Sequence, residues 1–331
     1  MMRQLSFATA EHLSKKRVTR REKFLGEMDK VVPWSALIET VQPHYFSAKR
    51  GRPPIGLARM LRLYFVQQWY SLSDEALEDA VSDSAAIRNF VGIDLGREPA
   101  PDATTVLKFR RLLEDKDLTK ALFERINKHL TDKGLLMREG TMVDATIIAA
   151  PPSTKNKDGA RDPEMRQTKK GNNWYFGMKA HTGCDVVSGV VHSLSTTSAN
   201  ASDVAHAHEV LHGQEKDVFA DAGYTGVGKR EEVAKAQAEG KIRDDVQWHV
   251  AAKRSVIGKM AEGTIKELTK ALEHVKAQVR ARVEHPYHVV KNLFGHKKAR
   301  YKGLAKNTVQ LYTLFGLANL VIVKRKLMAI G

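Results

Sequence analysis

Gly140-Thr141-Met142-Val143-Asp144-Ala145-Thr146-Ile147-Ile148-Ala149 is the stretch on which the fold turns. Its β-branched and apolar residues read as a strand, at the point where the apolar period switches from helical to extended. Beyond it, residues 151–171 are polar and lysine-rich and read as a loop. Residues 175–186 and 188–196 read as paired strands about a turn at 187–189. A helix is expected over about 202–212, then a short buried strand, Asp217-Val218-Phe219-Ala220-Asp221, and a turn over 222–226. A helix at roughly 228–239, a strand at 246–251 and helices from Glu262 onward complete the order. Three strands followed by strands alternating with helices describe a mixed α/β layer fold.

Upstream of Gly140 the pattern is helical, from residue 10 to about 132. Leu57, Met60, Leu61, Tyr64, Phe65 and Trp69 share one face of a helix. Ser73 followed by Asp74 and Glu75 opens the next, a cap with early acids that suit the helix dipole. Pro99, Pro101 and Asp102 interrupt; Thr104 or Thr105 then opens a helix through Leu113, and another covers about 118–131. Short helices with brief turns suit a DNA-reading domain of the helix-turn-helix type, and suit any small bundle too. The expected division is a helical domain over 1–135 and an α/β domain over 136–331.

The chain has 331 residues, with 54 Lys and Arg against 38 Asp and Glu, for a net charge of +16. An apolar fraction of 42% beside 28% charged residues is that of a globular chain rather than a disordered one. The charge is uneven: residues 1–60 carry +7, residues 241–331 carry +13 and the segment between carries −4. From His285 to Gly331, nine Lys or Arg face no acid. Basic ends of this kind suit a polyanion, most commonly nucleic acid; a basic enzyme without such a partner is the other reading. One cysteine, Cys184, excludes a disulfide framework and a cysteine-rich zinc site, and a reducing cytoplasm is expected. The start is polar and carries Lys15, Lys16 and Arg17, unlike a secretory signal. The most apolar stretch, 309–323, includes Gln310, Tyr312 and Asn319 and is shorter than the ~20 residues of a membrane span. A buried helix is expected there.

Three acids stand where an acid is costly or oddly framed. Asp144 interrupts an apolar strand, and Asp221 ends the run Val218-Phe219-Ala220 at a strand-to-loop junction, where open α/β sheets bind ligands. A buried carboxylate costs several kcal/mol unless a cation or hydrogen bonds compensate it, and converging hard oxygens suit Mg²⁺ or Mn²⁺. Either acid alone could instead cap a turn or a helix. Glu284 falls on a helical stripe with Arg280, Tyr287 and Lys291, while Val279, Val283, Val290 and Phe294 line a face able to pack on the sheet. The stripe could set Glu284 on a metal with Arg280 and Lys291 on phosphates, or be a surface ladder of ion pairs. Pro286 must kink or restart this helix in either case.

Several stretches together resemble the catalytic half of a bacterial insertion-sequence transposase of the Asp-Asp-Glu type, in the insertion-sequence-five family. They are MVDATIIAAP around Asp144, YFGMKAHTGCDVVSGVVHSLSTTSANASDV, VFADAGYTG around Asp221, and RVEHPYHVVKNLFGHKKARYKGLAKN around Glu284. GRPPIGLARMLRLYFVQQWYSLSDEALEDA and PDATTVLKFRRLLE resemble that family's N-terminal segment, so the likeness runs from about Lys49 onward in constant motif order. It implies an RNase H-like mixed sheet flanked by helices, preceded by a mostly helical domain for DNA recognition and dimerisation. Asp144 would lie on the first strand, Asp221 just after the fourth, and Glu284 on a following helix, with separations of 77 and 63 residues. Those spacings leave little room for the large inserted domain of some relatives. The family signature Tyr-x2-Arg-x3-Glu-x6-Lys falls on Arg280, Glu284 and Lys291; its tyrosine position holds Ala277, which removes an aromatic or hydroxyl contact to DNA but no metal-binding acid.

The resemblance further implies a DNA transposase that binds the terminal inverted repeats of its element and cuts and joins strands by metal-dependent phosphoryl transfer. Asp144, Asp221 and Glu284 are the expected catalytic and metal-binding residues, with Mg²⁺ as cofactor and Mn²⁺ able to replace it. Two ions about 4 Å apart would activate water or a 3′-hydroxyl and stabilise the leaving oxygen, with Asp144 bridging both. Double-stranded DNA and a second copy on DNA are the expected partners, with no membrane, no organic cofactor, and a location in the bacterial cytoplasm at the nucleoid. An RNase H-like nuclease without strand transfer, or a non-catalytic regulator derived from a transposase, are the alternatives. Lys179, Arg280, Lys291, Lys297, Lys298, Arg300 and Lys302 are the expected DNA contacts, the last four belonging with Lys306 to a strip that no nearby acid offsets. Lys179 shares a strand face with His181, which could equally be a solvated face. His206, His208 and His212 lack a further ligand at zinc spacing. Arg50-Gly51-Arg52-Pro53 could hook a minor groove, although Pro53 and Pro54 better suit a helix start. Trp248 and Cys184 read as core residues.

Overall fold

β1 (Gly140–Ala149) lies within a six-stranded mixed sheet with β2 (Arg166–Lys170), β3 (Asn173–Asp185), β4 (Val191–Ser198), β5 (Asp217–Ala220) and β6 (Gln247–Val250). The computed structural model describes residues 17–46, 53–137, 139–157 and 159–330; Arg50 to Arg52 and residues 10–16 lie outside the described residues. β3 runs antiparallel to β1 from Thr141↔Asp185 to Ala149↔Gly177, and β4 runs antiparallel to β3. β5 is parallel to β1, and β6 is parallel to β5. With β2 set aside, the order is β4-β3-β1-β5-β6, three antiparallel strands continued by two parallel ones. That is the RNase H-like arrangement expected from the sequence. Two glycines permit it: a Cβ on Gly177 would meet the Ile148 carbonyl, and one on Gly183 would meet the Val210 carbonyl.

The chain folds as two compact units, Met1–Ile126 with Lys324–Gly331, and Asn127–Val323. The first holds α1 (Arg20–Val31), α2 (Trp34–Val41), α3 (Leu57–Trp69), α4 (Asp74–Asp83), α5 (Ala85–Val91) and α6 (Ala103–Asp115), and α7 (Leu118–Asp132) follows. Polar caps start these helices. Thr19 and Glu22 form a capping box, Ser73 accepts the Ala76 N–H at 3.1 Å, and Asp102 accepts the Thr105 N–H at 2.6 Å. Asp102 is therefore the cap of α6, which begins at Ala103 rather than at the threonines. The face of α3 expected to be apolar is buried around Phe65 and Trp69, and Trp69 meets Phe24 and Phe90 edge-on. Arg110 forks onto Asp74 at 2.5 and 2.9 Å. Lys324 joins this unit by an ion pair with Glu27 at 2.5 Å.

In the second unit, α8 (Glu231–Ala238) covers one face of the sheet, where Val143, Val218 and Ala220 pack with Tyr224, Val233 and Ala236. Then come α9 (Arg254–Gly258), α10 (Thr264–Arg280), α11 (Glu284–His288) and α12 (Leu304–Ile330). Leu311, Phe315 and Leu320 of α12 are buried as expected, and among the described residues no helix is long and apolar enough to cross a membrane. Asn319 uses both ends of its amide on β4: it accepts the Val191 N–H at 2.9 Å and donates to the Val191 carbonyl at 2.7 Å. Two elements differ from the sequence reading. The stretch read as a loop contains β2, because Gly171, with φ +61°, lets the chain turn back onto β3. The helix expected over 202–212 is a 3-10 segment, Val204–Val210, whose three-residue turn suits the His206–Glu209 contact at 2.9 Å.

Candidate active site

The sheet brings Asp144 and Asp221 level. Met142 stands opposite Phe219 in the parallel β1–β5 pair, and the same offset carried two residues on sets Asp144 beside Asp221. Neighbouring strands lie about 4.8 Å apart. Positions two apart share a face, so both carboxyl groups leave the sheet on one side. Asp221 follows the last residue of β5, and its Oδ1 accepts the Gly223 N–H at 2.8 Å, capping the 3-10 turn Ala222–Tyr224. Asp144 Oδ1 accepts the Ala145 N–H at 2.8 Å. Each acid thus caps its own backbone, and that bond engages one oxygen of the two.

Glu284 is carried in by an irregular helical arm. α10 ends at Arg280, Ala281–Val283 tightens into a 3-10 turn, α11 starts at Glu284 itself, and Val289–Leu293 widens into a π-turn. Pro286 has no N–H to give the carbonyl four residues back, so a regular helix cannot run through it. Tyr287 shares a hydrogen bond of 2.6 Å with Thr182, the cross-strand partner of Asp144. One turn later Lys291 Nζ donates to Thr146 Oγ1 and the Ile147 carbonyl, both at 2.7 Å. Val283, Val290 and Phe294 are buried beneath the arm. Of the stripe read from the sequence, Tyr287 is buried, Arg280 and Lys291 are half-buried and Glu284 is exposed, and the tethers on Tyr287 and Lys291 hold the arm so that the Glu284 charge bears on Asp144.

Burial, reinforced by the charges of Asp221 and Glu284, pushes the Asp144 carboxyl up to about 7; the Ala145 N–H and the Arg280 guanidinium act the other way. The Tyr224 and Tyr287 phenols are raised by burial and by the same Asp144 charge. Burial and the neighbouring Lys170 lower Lys291. A carboxyl raised in this way sits in uncompensated negative charge, and its oxygen-only donor set fits Mg²⁺ or Mn²⁺. Among the described residues the three acids are not a group whose donor atoms all lie within 4.8 Å of one another. One Mg²⁺, with bonds of about 2.1 Å, spans donors no more than about 4.2 Å apart. A single ion therefore does not join all three acids as they stand. A cleft of about 390 Å³ is lined by Asp144, Asp203, Asp221, Lys169, Lys170 and Lys179, and Glu284 is not among its lining residues.

Residues 136–320, a span that contains all three acids, match the transposase DDE domain family. The chain belongs to the DDE transposase family. Residues 12–112 match a second family, described as transposase domain (DUF772). A cryo-EM structure of the piggyBac transposase synaptic complex with hairpin DNA aligns over 93% of this chain and 75% of its own, at 10% identity and a TM-score of 0.45.

The basic residues of this DDE-family chain divide by environment. Lys179 Nζ meets Asp203 Oδ1 at 2.8 Å and the Ala201 carbonyl at 2.7 Å, so within the cleft wall it is already neutralised. Lys291 is the tether just described, and Arg280 is half-buried near the acids. Lys297, Lys298, Arg300 and Lys302 are exposed, on a segment held to the end of β1 by the Ala299 N–H donating to Ala149 at 2.7 Å. Sequence reasoning missed Lys169, Lys170, Asp203 and Tyr224. The first two were legible in Lys169-Lys170-Gly171-Asn172, a two-residue hairpin turn. Exposed Trp174 lies across the same hairpin from Lys169.

The histidines resolve differently. His212 leaves the 3-10 segment and gathers with His192 of β4 and Glu215, all donor atoms within 4.8 Å. Glu215 accepts the His212 and Gly213 N–H groups at 2.6 and 2.8 Å and the Thr141 hydroxyl at 3.1 Å. Those bonds supply the compensation a buried carboxylate needs. His192 lies twenty positions from His212, a spacing that no local motif marks. Trp248 packs against the cluster around Val218, and Cys184 is buried, both as expected.

Proposed function

We propose that the protein is the transposase of a bacterial insertion sequence of the insertion-sequence-five group. It binds the inverted repeats at the ends of its element, cleaves there, and joins the freed ends to target DNA in the cytoplasm at the nucleoid. The observation that carries this reading is Asp144 and Asp221 lining one cleft with Lys169 and Lys170, with the Glu284 charge felt at Asp144, in a chain of the DDE family. Asp144 would hold two Mg²⁺ ions jointly, with Asp221 and Glu284 each completing one. Such ions, when bound, supply an activated oxygen nucleophile and charge for the leaving oxygen.

The protein's own groups do the rest. Lys169 and Lys170 at the cleft, and Lys297, Lys298, Arg300 and Lys302 beyond β1, grip phosphates and align the scissile strand. Arg280 holds down the negative charge gathered around Asp144, and Tyr287 and Lys291 are positioning residues that fix the arm bearing Glu284. Lys179 keeps Asp203 turned into the cleft wall and contacts DNA if that pair opens. The helical region over 1–135 reads the end sequence, and two copies act together on paired ends.

The test is an assay of the full chain with Mg²⁺ on duplexes carrying the repeats that flank its gene. Nicked ends and joined products are expected, and Asp144→Asn, Asp221→Asn and Glu284→Gln should each lose both by at least about 100-fold with unchanged circular dichroism. Cutting without joining would identify a nuclease, and binding without cutting a regulator.

A further inference from the structure

Helix α10 carries its apolar side outward. Ile265, Leu268, Leu272 and Val275 are 75, 65, 56 and 54% exposed. They are spaced by three, four and three residues, and Val279 continues the series after four more. This is the a/d pattern of a heptad, which aligns the side chains in one seam. The polar side is the one turned toward the molecule. Lys266 Nζ donates to the Met260 carbonyl at 3.1 Å, Glu273 accepts the Ala252 N–H at 2.9 Å, and Lys276 Nζ donates to the Val250 carbonyl at 3.1 Å. A helix lying on its own protein ordinarily faces the other way.

We propose that this seam is a self-association surface, on which α10 of a second copy packs about a two-fold axis. The flanks of the seam choose a copy over a foreign partner. Thr264, Thr269, Ala271 and Gln278 beside it are uncharged, and Lys276 is paired with Glu273 at 2.8 Å. Two copies therefore meet here without opposed like charges, whereas most of the segment 241–331, at +13, repels itself. A partner selected by charge would need charged flanks. The area agrees. The four side chains offer roughly 400 Å², the size of the largest apolar patch on a typical monomer, which is often functional. A two-fold doubles that to about 800 Å², below the ~1,200 Å² of standard stable interfaces. The pair is accordingly weak alone and tightens when another contact holds two copies together. Because α10 leads through Arg280 directly into Glu284, pairing also braces the arm that carries the third acid.

The inference supplies a surface for the dimer proposed above but stands on α10 alone, and its test contains no DNA, so it succeeds or fails apart from the cleavage assay. Sedimentation velocity of the full chain over about 1 to 100 μM should show concentration-dependent dimer, and Leu268→Lys with Leu272→Lys should weaken it at least tenfold with an unchanged far-ultraviolet spectrum. Cys184 is buried, so an introduced thiol reports by itself. Leu272→Cys should cross-link two copies under mild oxidation, and Lys270→Cys, off the seam, should not. A wild type that stays monomeric throughout, a dimer that survives both lysines, or equal cross-linking at the two positions would overturn the proposal. If the double variant fails to fold, the cross-linking pair decides alone.

Discussion

Asp144 is where burial, charge and chemistry meet. Its carboxyl stands at about 7 in the folded, ion-free protein, against about 3.9 for an unperturbed aspartate. An acid raised by folding stabilises the fold while protonated. That contribution is complete below about pH 4 and is lost as pH rises through about 7. The melting temperature of chelator-treated protein should therefore fall between pH 5 and pH 8 more steeply in the wild type than in Asp144→Asn. Mg²⁺ or Mn²⁺ should recover the loss at pH 8, because only the ionised carboxylate binds them; parallel slopes in the two proteins would refute it. Tyr287→Phe removes the bond to Thr182 and should cost about 1 kcal/mol in denaturant unfolding, with a larger effect on cleavage than on DNA affinity. At this scale Asp144 and Asp221 were legible because an acid inside an apolar run is costly. Glu284 became legible only with Arg280 and Lys291 in the family signature, since helical spacing fits an ion-pair ladder just as well. Asp203 left no trace, because an acid in a polar turn is unremarkable until the fold turns it into a cleft.

Among the elements, the β2–β3 hairpin and the arm from Arg280 to Leu293 do most to shape the site. The hairpin presents Lys169 and Lys170 to the cleft and Trp174 to solvent. Lys169→Ala with Lys170→Ala should weaken DNA binding across sequences and flatten its salt dependence by about two phosphate contacts, read from binding at several salt concentrations. No change in that slope would remove the hairpin from the DNA surface. Gly177→Ala drives a methyl group into the Ile148 carbonyl and should cost about 1–3 kcal/mol or more, read as a lowered denaturation midpoint. The period-2 runs located β1, β3, β4, β5 and β6 to within a few residues. β2 escaped because Arg166–Lys170 is polar on both faces and shows no apolar alternation. The break at Pro286 was readable, but the π-turn that follows it was not, since no residue pattern distinguishes it from a continuing helix.

For the whole molecule, the uneven charge has a physical consequence that the fold alone does not. A chain at +16 with a basic C-terminal segment should bind duplex DNA through phosphates, with log affinity falling linearly against log salt. Of the two compact units, the first includes Lys324–Gly331, where Lys324 reaches Glu27. An apolar pattern running unbroken along α12 cannot reveal which unit its last residues serve. The proposed function rests on three acids holding divalent ions at a cleft that Lys169 and Lys170 line. The most direct measurement is anomalous diffraction from crystals of the full chain soaked in Mn²⁺. Peaks between Asp144 and its neighbours Asp221 and Glu284, lost in Asp144→Asn, are the expected result. Mn²⁺ bound elsewhere with no peak at Asp144, or peaks unchanged by Asp144→Asn, would contradict the account.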